Sequence, residues 1–289
     1  MDIIKFVKKY SKQLIIFNLL LIVAFWGFLI YKKMSYGYIF EKDVSIKGGY
    51  IIVIPKEVNL NPTDIYKQLS TIYPDIRVYE TKGLVYIEGS SLDAQRVVDI
   101  INKKFNLNLE IKDIEIQQYD SYFGSIIFKE FIKLVIIALI LVSIAVLIRM
   151  KNKVSALAIV LTILFDLSAT AFLVSMLGYP ISIIAFIAFL MILGYAIDNN
   201  IVLATNILKE EGTFEDKVKL SLKVGYLMEA TTLIVLIVTY LIVNAKVIHE
   251  LAFILIIALL ADAYFYLFGN IPLYYELLFK SKQELKENE

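Results

Sequence analysis

Apolar residues run through this chain in six long blocks: Leu14–Ile30, Ile132–Ile148, Val154–Leu177, Ile181–Leu208, Tyr226–Val243 and Leu251–Leu273. A helix that crosses a hydrocarbon core about 30 Å thick needs roughly 20 mostly apolar residues. The blocks therefore predict six transmembrane helices. Lys5, Lys8, Lys9 and Lys12 precede the first block as they would in a signal peptide. Its apolar run exceeds the roughly 7–15 residues of a signal core, and Tyr31-Lys32-Lys33 stands where a small-residue cleavage site would be. A retained anchor is the expectation.

Between the first two blocks the pattern changes. Val44–Ile54 is β-rich and contains Gly48-Gly49, and Asn61-Pro62 reads as a cap and first residue of a helix. Ile65, Leu69 and Ile72 then keep helical spacing. Ile76–Glu80 and Leu84–Glu88 flank Thr81-Lys82-Gly83, a hairpin signal. Ser90, with Asp93 three residues on, predicts the start of a second helix with Val97, Val98 and Ile101 on one face. Leu109–Ile116 alternates and predicts a last strand. The order β-α-β-β-α-β is that of an α+β ferredoxin-like domain. Its acids, such as Glu88, Asp93 and Glu110, lie among lysines and arginines as on a solvated face. No catalytic set is visible there, and an edge of its sheet is a candidate for accepting extended chain.

Basic residues orient the spans. Lysines and arginines gather at the N-terminus, at Arg149, Lys151 and Lys153, at Lys209, Lys217, Lys219 and Lys223, and at Lys280, Lys282 and Lys286. The turns Gly178-Tyr179-Pro180 and Asn244–Glu250 hold only Lys246. Both termini are expected in the cytoplasm. The expected units are residues 1–31 (N-terminus and first span), 32–125 (extracytoplasmic domain), 126–273 (five-helix region) and 274–289 (cytoplasmic tail).

Composition narrows the function. Of 289 residues, 59% are hydrophobic and 20% charged, against about 45–50% and 25% in soluble domains. That leaves polar sequence for one modest aqueous domain. A net charge of +1 indicates no nucleic-acid partner. Without cysteine there are no disulfides, thiol chemistry or cysteine metal sites, and a lone His249 excludes a multi-histidine site. No cofactor is expected.

Four acids lie inside the apolar blocks, where ionisable groups usually face a bundle interior or a polar cavity. Asp166 stands roughly 18 Å along its helix from Val154, and Asp262 about 16 Å from Leu251. Each is central, with structural and functional roles both open. Asp198 is about 16 Å from Lys209 and is followed by Asn199 and Asn200, with Asn206 further on; this group implies a hydrated interior site. Glu229, roughly 9 Å from Lys223, could equally reach the interface or serve function. No lysine or arginine occupies the centre of a span. A carboxyl able to be neutral at one stage and charged at another suits proton coupling, worth about 2.3 kcal/mol per charge per 100 mV. No phosphate-binding G-x-x-x-x-G-K-[ST] run competes with that energy source.

The chain resembles the SecF branch of the SecD/SecF protein-export family, within the resistance–nodulation–division (RND) superfamily of proton-driven transporters. The carrying block is Gly194-Tyr195-Ala196-Ile197-Asp198-Asn199-Asn200-Ile201-Val202, similar to the family's fourth-span G-Y-S-I-N-D-T-I-V. Lys209-Glu210-Glu211, Gly225 and Ala230-Thr231-Thr232-Leu233 also fit, and Ile46-Lys47-Gly48-Gly49 matches D-F-x-G-G with Ser45 in place of the aspartate. Phe165-Asp166-Leu167, Leu260-Ala261-Asp262 and the Gly178-Tyr179-Pro180 turn look archaeal. The bacterial aspartate aligns with Asn199, whereas Asp198 and Asn200 match the D-x-N pattern of SecD. The bacterial fifth-span arginine has no counterpart near Met228 or Glu229.

The resemblance implies an RND-like half-bundle that pairs with SecD beside the Sec channel and uses the proton-motive force to draw translocating polypeptide across the cell membrane. It implies Asp198 as the protonatable group, hydrated by Asn199 and Asn200, with Asp166 and Asp262 as relay members. Gly48, Gly49, Gly194, Thr231 and Thr232 are its family-motif positions. Expected partners are SecD, the channel, translocating chain and membrane lipid, and no enzymatic activity is expected. The rivals are a proton-coupled exporter of small molecules and a non-catalytic scaffold of the channel. An intramembrane aspartyl protease fails on motif, because the G-x-G-D spacing and a P-A-L run are missing.

Overall fold

The computed structural model describes residues 3–55, 60–81, 83–243 and 245–280. Lys82 of the expected hairpin turn, Asn244 and the tail lysines Lys282 and Lys286 lie outside them. A short helix α1 (Ile3–Lys9) precedes the long α2 (Ser11–Tyr36). Gly37, in the left-handed region at φ 81°, ends α2 and admits the chain to the sheet domain.

Val44–Ile54 is not β throughout. Asp43 accepts a hydrogen bond from the Ser45 N–H at 2.8 Å and caps a one-turn helix α3 (Val44–Lys47), so strand β1 (Gly49–Pro55) begins only at the second glycine of the pair. Gly48 and Gly49 have φ of 83° and 134°. A Cβ on Gly49 would stand 2.4 Å from the Gly89 carbonyl oxygen, and one on Gly48 2.6 Å from the Ser121 nitrogen. Only glycine permits both the turn and the close approach.

Helix α4 (Pro62–Leu69) starts as expected, with Asn61 accepting from the Thr63 N–H at 3.0 Å. It buries Ile65 and Leu69 but ends before Ile72, which is exposed. Strands β2 (Arg77–Thr81) and β3 (Leu84–Gly89) form the hairpin. Helix α5 (Ala94–Phe105) buries Val97, Val98 and Ile101 and is capped by Asp93 rather than Ser90, whose N–H is held by Asp75 at 2.8 Å. The strand expected over Leu109–Ile116 is displaced. The Asn102 amide bonds both the carbonyl and the N–H of Leu109, at 2.8 and 2.9 Å, and a 3-10 turn occupies Ile111–Asp113. These side-chain and turn bonds compete with a ladder, and β4 is Glu115–Tyr119.

The four strands form one sheet in the order β2-β3-β1-β4 with every neighbouring pair antiparallel. Alternation along β1 sends Ile52 and Ile54 into the core under α4 and α5. Ile51 and Val53 join Val44 and Tyr86 on the opposite face.

The chain continues through α6 (Ser121–Met150), α7 (Lys153–Met176), α8 (Ile183–Lys209), α9 (Phe214–Ile242) and α10 (Lys246–Phe265). With α2, these give six helices long and apolar enough to cross a membrane. Half or more of the apolar windows of α7, α8 and α10 is buried, against 6% in α6 and 11% in α2. The central helices carry small residues at their contacts, among them Ala158, Ala188, Ala204, Ala252 and Ala258, which let backbones approach without a hydrophobic drive.

The last span runs past the expected Leu273. It widens into a π-helical stretch over Tyr266–Asn270, returns to α over Ile271–Tyr274 and ends in a second π turn, Tyr275–Lys280. Pro272 has no N–H to give the Phe268 carbonyl one turn back. Asn18 of α2 donates to that oxygen instead, at 2.8 Å. Asn18→Leu is expected to cost about 1–3 kcal/mol by stranding a buried carbonyl, measured by denaturation of the purified chain in micelles.

The bundle has two distinct ends. At one, the sheet domain meets the α7–α8 turn: the Asp43 N–H donates to the Ile181 carbonyl (2.9 Å) and the Ile181 N–H to that of Glu41 (2.7 Å). At the other, Lys8 pairs with Glu215 and the Ser11 hydroxyl donates to Glu276.

Candidate functional site

Four helices bring polar side chains to the middle of the bundle. On α7, Ser155, Thr162, Asp166 and Thr170 are all fully buried. Their spacing of seven, four and four places them on one face of the helix. Opposite Asp166 stand Asn199 of α8, Glu229 of α9 and Asp262 of α10, all buried. The Asn199 amide donates to Glu229 and to Asp262, the latter at 2.9 Å. The Asp166 carboxyl faces that of Asp262, and among the described residues no N–H or O–H group donates to either of its oxygens. One amide thus serves two of the three acids, and the third, Asp166, faces them without a donor among the described residues.

A second polar knot adjoins the first. Asn270, in the π-helical stretch, donates to the Asn200 side-chain oxygen at 2.6 Å and to the Thr162 hydroxyl at 2.8 Å. Asn200 donates to the Ala196 carbonyl of its own helix, and Thr162 to that of Ala158. Widening at a π stretch turns Asn270 inward, a common use of such bulges at functional sites.

Asp198 is elsewhere. It is exposed, on the surface strip of α8 that also carries Ile187, Met191 and Gly194. Successive residues turn by about 100°, so a helix that buries Asn199 and Asn200 directs Asp198 outward. Neither asparagine hydrates it; each bonds within the buried knots. The space where Gly194 would carry a Cβ is open within this chain. Thr231 and Thr232 bond back to the Met228 carbonyl at 2.8 and 3.0 Å on the outer face of α9.

The structure therefore gathers Asp166, Asn199 and Asp262, together with Glu229, and sets Asp198 apart. Thr162 and Asn270 were missed in the sequence. Their signals are a threonine one turn before Asp166 and an amide two residues before a proline in an apolar run. The solvated reading of Glu88 is corrected. It is 1% exposed and takes hydrogen bonds from Tyr79 and Lys246. Burial, then the neighbouring Glu88, pushes the Tyr79 phenol well above its ordinary range, so it remains a donor. Asp93 and Glu110 do lie exposed.

Residues 99–280, well over half of the chain and including every polar group of the buried site, match the family model for the protein-export membrane protein SecD/SecF, C-terminal. The chain belongs to this family.

Archaeal relatives cover most of its length. The chain is 28% identical over 233 residues to the protein-export membrane protein SecF of Thermococcus gammatolerans, covering 77% of this chain and 73% of that one. It is 28% identical over 261 residues to SecF of Pyrococcus furiosus, covering 87% and 86%. With its six apolar helices it is a multi-pass membrane protein of the family. Its fold matches the crystal structure of SecDF, a translocon-associated membrane protein, from Thermus thermophilus with a TM-score of 0.70 at 16% identity. That match covers 95% of this chain but only 38% of the SecDF chain. A second SecDF structure, in a super-membrane-facing form, matches with a TM-score of 0.62 at 16% identity, covering 97% of this chain and 39% of that one.

Proposed function

We propose that this chain is the SecF-type half of a two-part export complex that pairs with a SecD-type half beside the Sec channel and uses the proton-motive force to assist polypeptide translocation. The carrying observation is Asp198, exposed roughly 16 Å along α8 from Lys209. A carboxyl facing lipid at that depth is costly, and such groups face a bundle interior or a polar cavity. A second helical half laid on the Ile187–Met191–Gly194–Asp198 strip supplies that interior. The two-fifths coverage of the SecDF chain fits a separate second half.

In this reading Asp198 takes up and releases the driving proton at the seam between the halves, and the Asp166–Asn199–Glu229–Asp262 cluster stores protons behind it. Three carboxyls around one amide, with no cation among the described residues near them, cannot all be ionised at low dielectric. Asn200 anchors α8 to Asn270. The lysines at α1, at the α8–α9 connection and at Lys280 support cytoplasmic termini. The sheet domain, within residues 32–125, then lies outside. Its strand order and two one-sided helices support a ferredoxin-like fold, and an edge of that sheet holds the emerging chain.

Co-isolation with a SecD-type chain tests the pairing. Gly194→Phe fills the open strip of α8 and is expected to reduce recovery of the partner at least tenfold, about 1.4 kcal/mol, while the variant alone keeps its melting point. Unchanged recovery would exclude this strip as the seam.

A further inference from the structure

Lys246 is the first residue of α10, at the end of the bundle that the sheet domain touches. Its ammonium lies 2.9 Å from the Asp43 carboxylate and also pairs with Glu88. Each of these acids leaves only 2% of its side chain exposed. Tyr79 donates to Glu88, and Lys246 sits 5.6 Å from the centre of the Tyr79 ring. Asp43 caps α3 and Glu88 belongs to β3, so one lysine of the bundle holds two elements of the sheet domain. Just beyond, Glu250 of α10 is buried and accepts from the Ser182 hydroxyl and N–H at the turn that the sheet domain touches. The groups around Lys246 are therefore Asp43, Glu88 and Glu250, with Tyr79, Tyr86, Tyr119 and Tyr179 beside them.

We propose that Lys246 is the positioning residue through which α10 couples the buried acid cluster to the sheet domain. The inference rests on the reading of Asp262 as part of a proton-storing cluster. Asp262 and Lys246 share one continuous helix and stand about 24 Å apart along it. Adding or removing a proton at Asp262 alters its bond to Asn199 and its approach to Asp166. Packed helices answer such changes by shifts of about 1–2 Å rather than by local yielding. A shift of that size carries a 2.9 Å ion pair beyond hydrogen-bonding range. Losing Lys246 leaves two buried carboxylates without their cation, so the contact is made or broken as a unit. Gly37, with nothing within 4 Å of where its Cβ would stand, gives the α2 connection room to turn.

The test uses the full chain in lipid nanodiscs. The protein has no cysteine, so spin labels at Gln95→Cys on the sheet domain and Met176→Cys on the bundle report one distance without background. Lys246→Arg should retain the native distribution, and Lys246→Met should add a population at longer distance. Asp262→Asn should shift the distribution when Lys246 is present and leave it unchanged in the Lys246→Met background. An equal shift in both backgrounds, or none with Lys246 present, overturns the proposal. Glu88→Gln, paired with Asp262→Asn in the same way, decides the matter if Lys246→Met does not fold. No partner or gradient enters the measurement, so failure of the export reading and failure of this coupling are separately visible.

Discussion

Asp198→Asn is expected to remove the gradient-dependent part of export while leaving gradient-independent export intact. The substitution keeps shape and polarity but cannot bind and release a proton. At 100 mV each coupled proton supplies about 2.3 kcal/mol. One coupled proton is therefore worth up to roughly fifty-fold in rate or equilibrium, and that factor bounds the loss. The measurement is export of a secreted substrate by vesicles containing the full complex, with the proton gradient present or collapsed. Asp198→Glu, which retains a titratable group, should preserve part of the stimulation. If Asp198→Asn, at normal abundance, still exports in a gradient-sensitive manner, Asp198 is not the coupling group. Export that ignores the gradient in the unaltered protein would favour the scaffold reading instead.

The second large effect has opposite signs in stability and function. Asp166 is fully buried, and no N–H or O–H group among the described residues donates to it. Asp166→Asn replaces an acid facing another acid by an amide that can donate to Asp262. Replacing a fully buried carboxyl that has no donor by a neutral amide that hydrogen-bonds Asp262 should raise stability by about 1–3 kcal/mol, seen as a higher denaturant midpoint in micelles. Gradient-stimulated export should fall at the same time, because the cluster loses one of its three proton-carrying groups. A variant that is more stable and exports normally would show that Asp166 only packs the bundle. Asn199→Leu supplies the contrast. It removes the donor that serves Glu229 and Asp262, so stability and function should fall together.

Much of the architecture was legible because the membrane imposes a coarse rule. Each of the six apolar blocks is helical because backbone groups in hydrocarbon must be satisfied. The ends of the helices differ from the expected blocks, and the last block passes through a π stretch at Tyr266–Asn270 where Asn18 of α2 takes up the Phe268 carbonyl. In the sheet domain the Asn61 cap, the β2–β3 hairpin and the Val97–Val98–Ile101 face follow local chemistry and read correctly. The errors at Ser90 and Leu109 share a cause. Asp75 and Asn102 claim backbone groups 15 and 7 residues away that local pattern would assign to a cap or a ladder, and hydrophobic periodicity does not register side-chain bonds of that kind.

The candidate site divides in the same way. Sequence showed that Asp166, Asp198 and Asp262 lie deep in apolar helices, since depth follows from counting residues along a rod of fixed rise. It could not show which way each points. One residue, about 100° of helix, separates the exposed Asp198 from the buried Asn199. That difference depends on which faces of α8 meet α7, α9 and α10. Glu88 and Lys246 were equally opaque: 158 residues apart in the chain, each looks like an ordinary surface charge until the fold buries one against the other. The sequence by itself determined the number of spans, the order of the elements and the acids available for coupling, because hydrophobic length and local propensity act along the chain. Tertiary structure alone decided which acids share an amide, which one faces outward and which lysine ties the sheet domain to the bundle. Those depend on contacts between segments that are distant in sequence and rotated about their own axes.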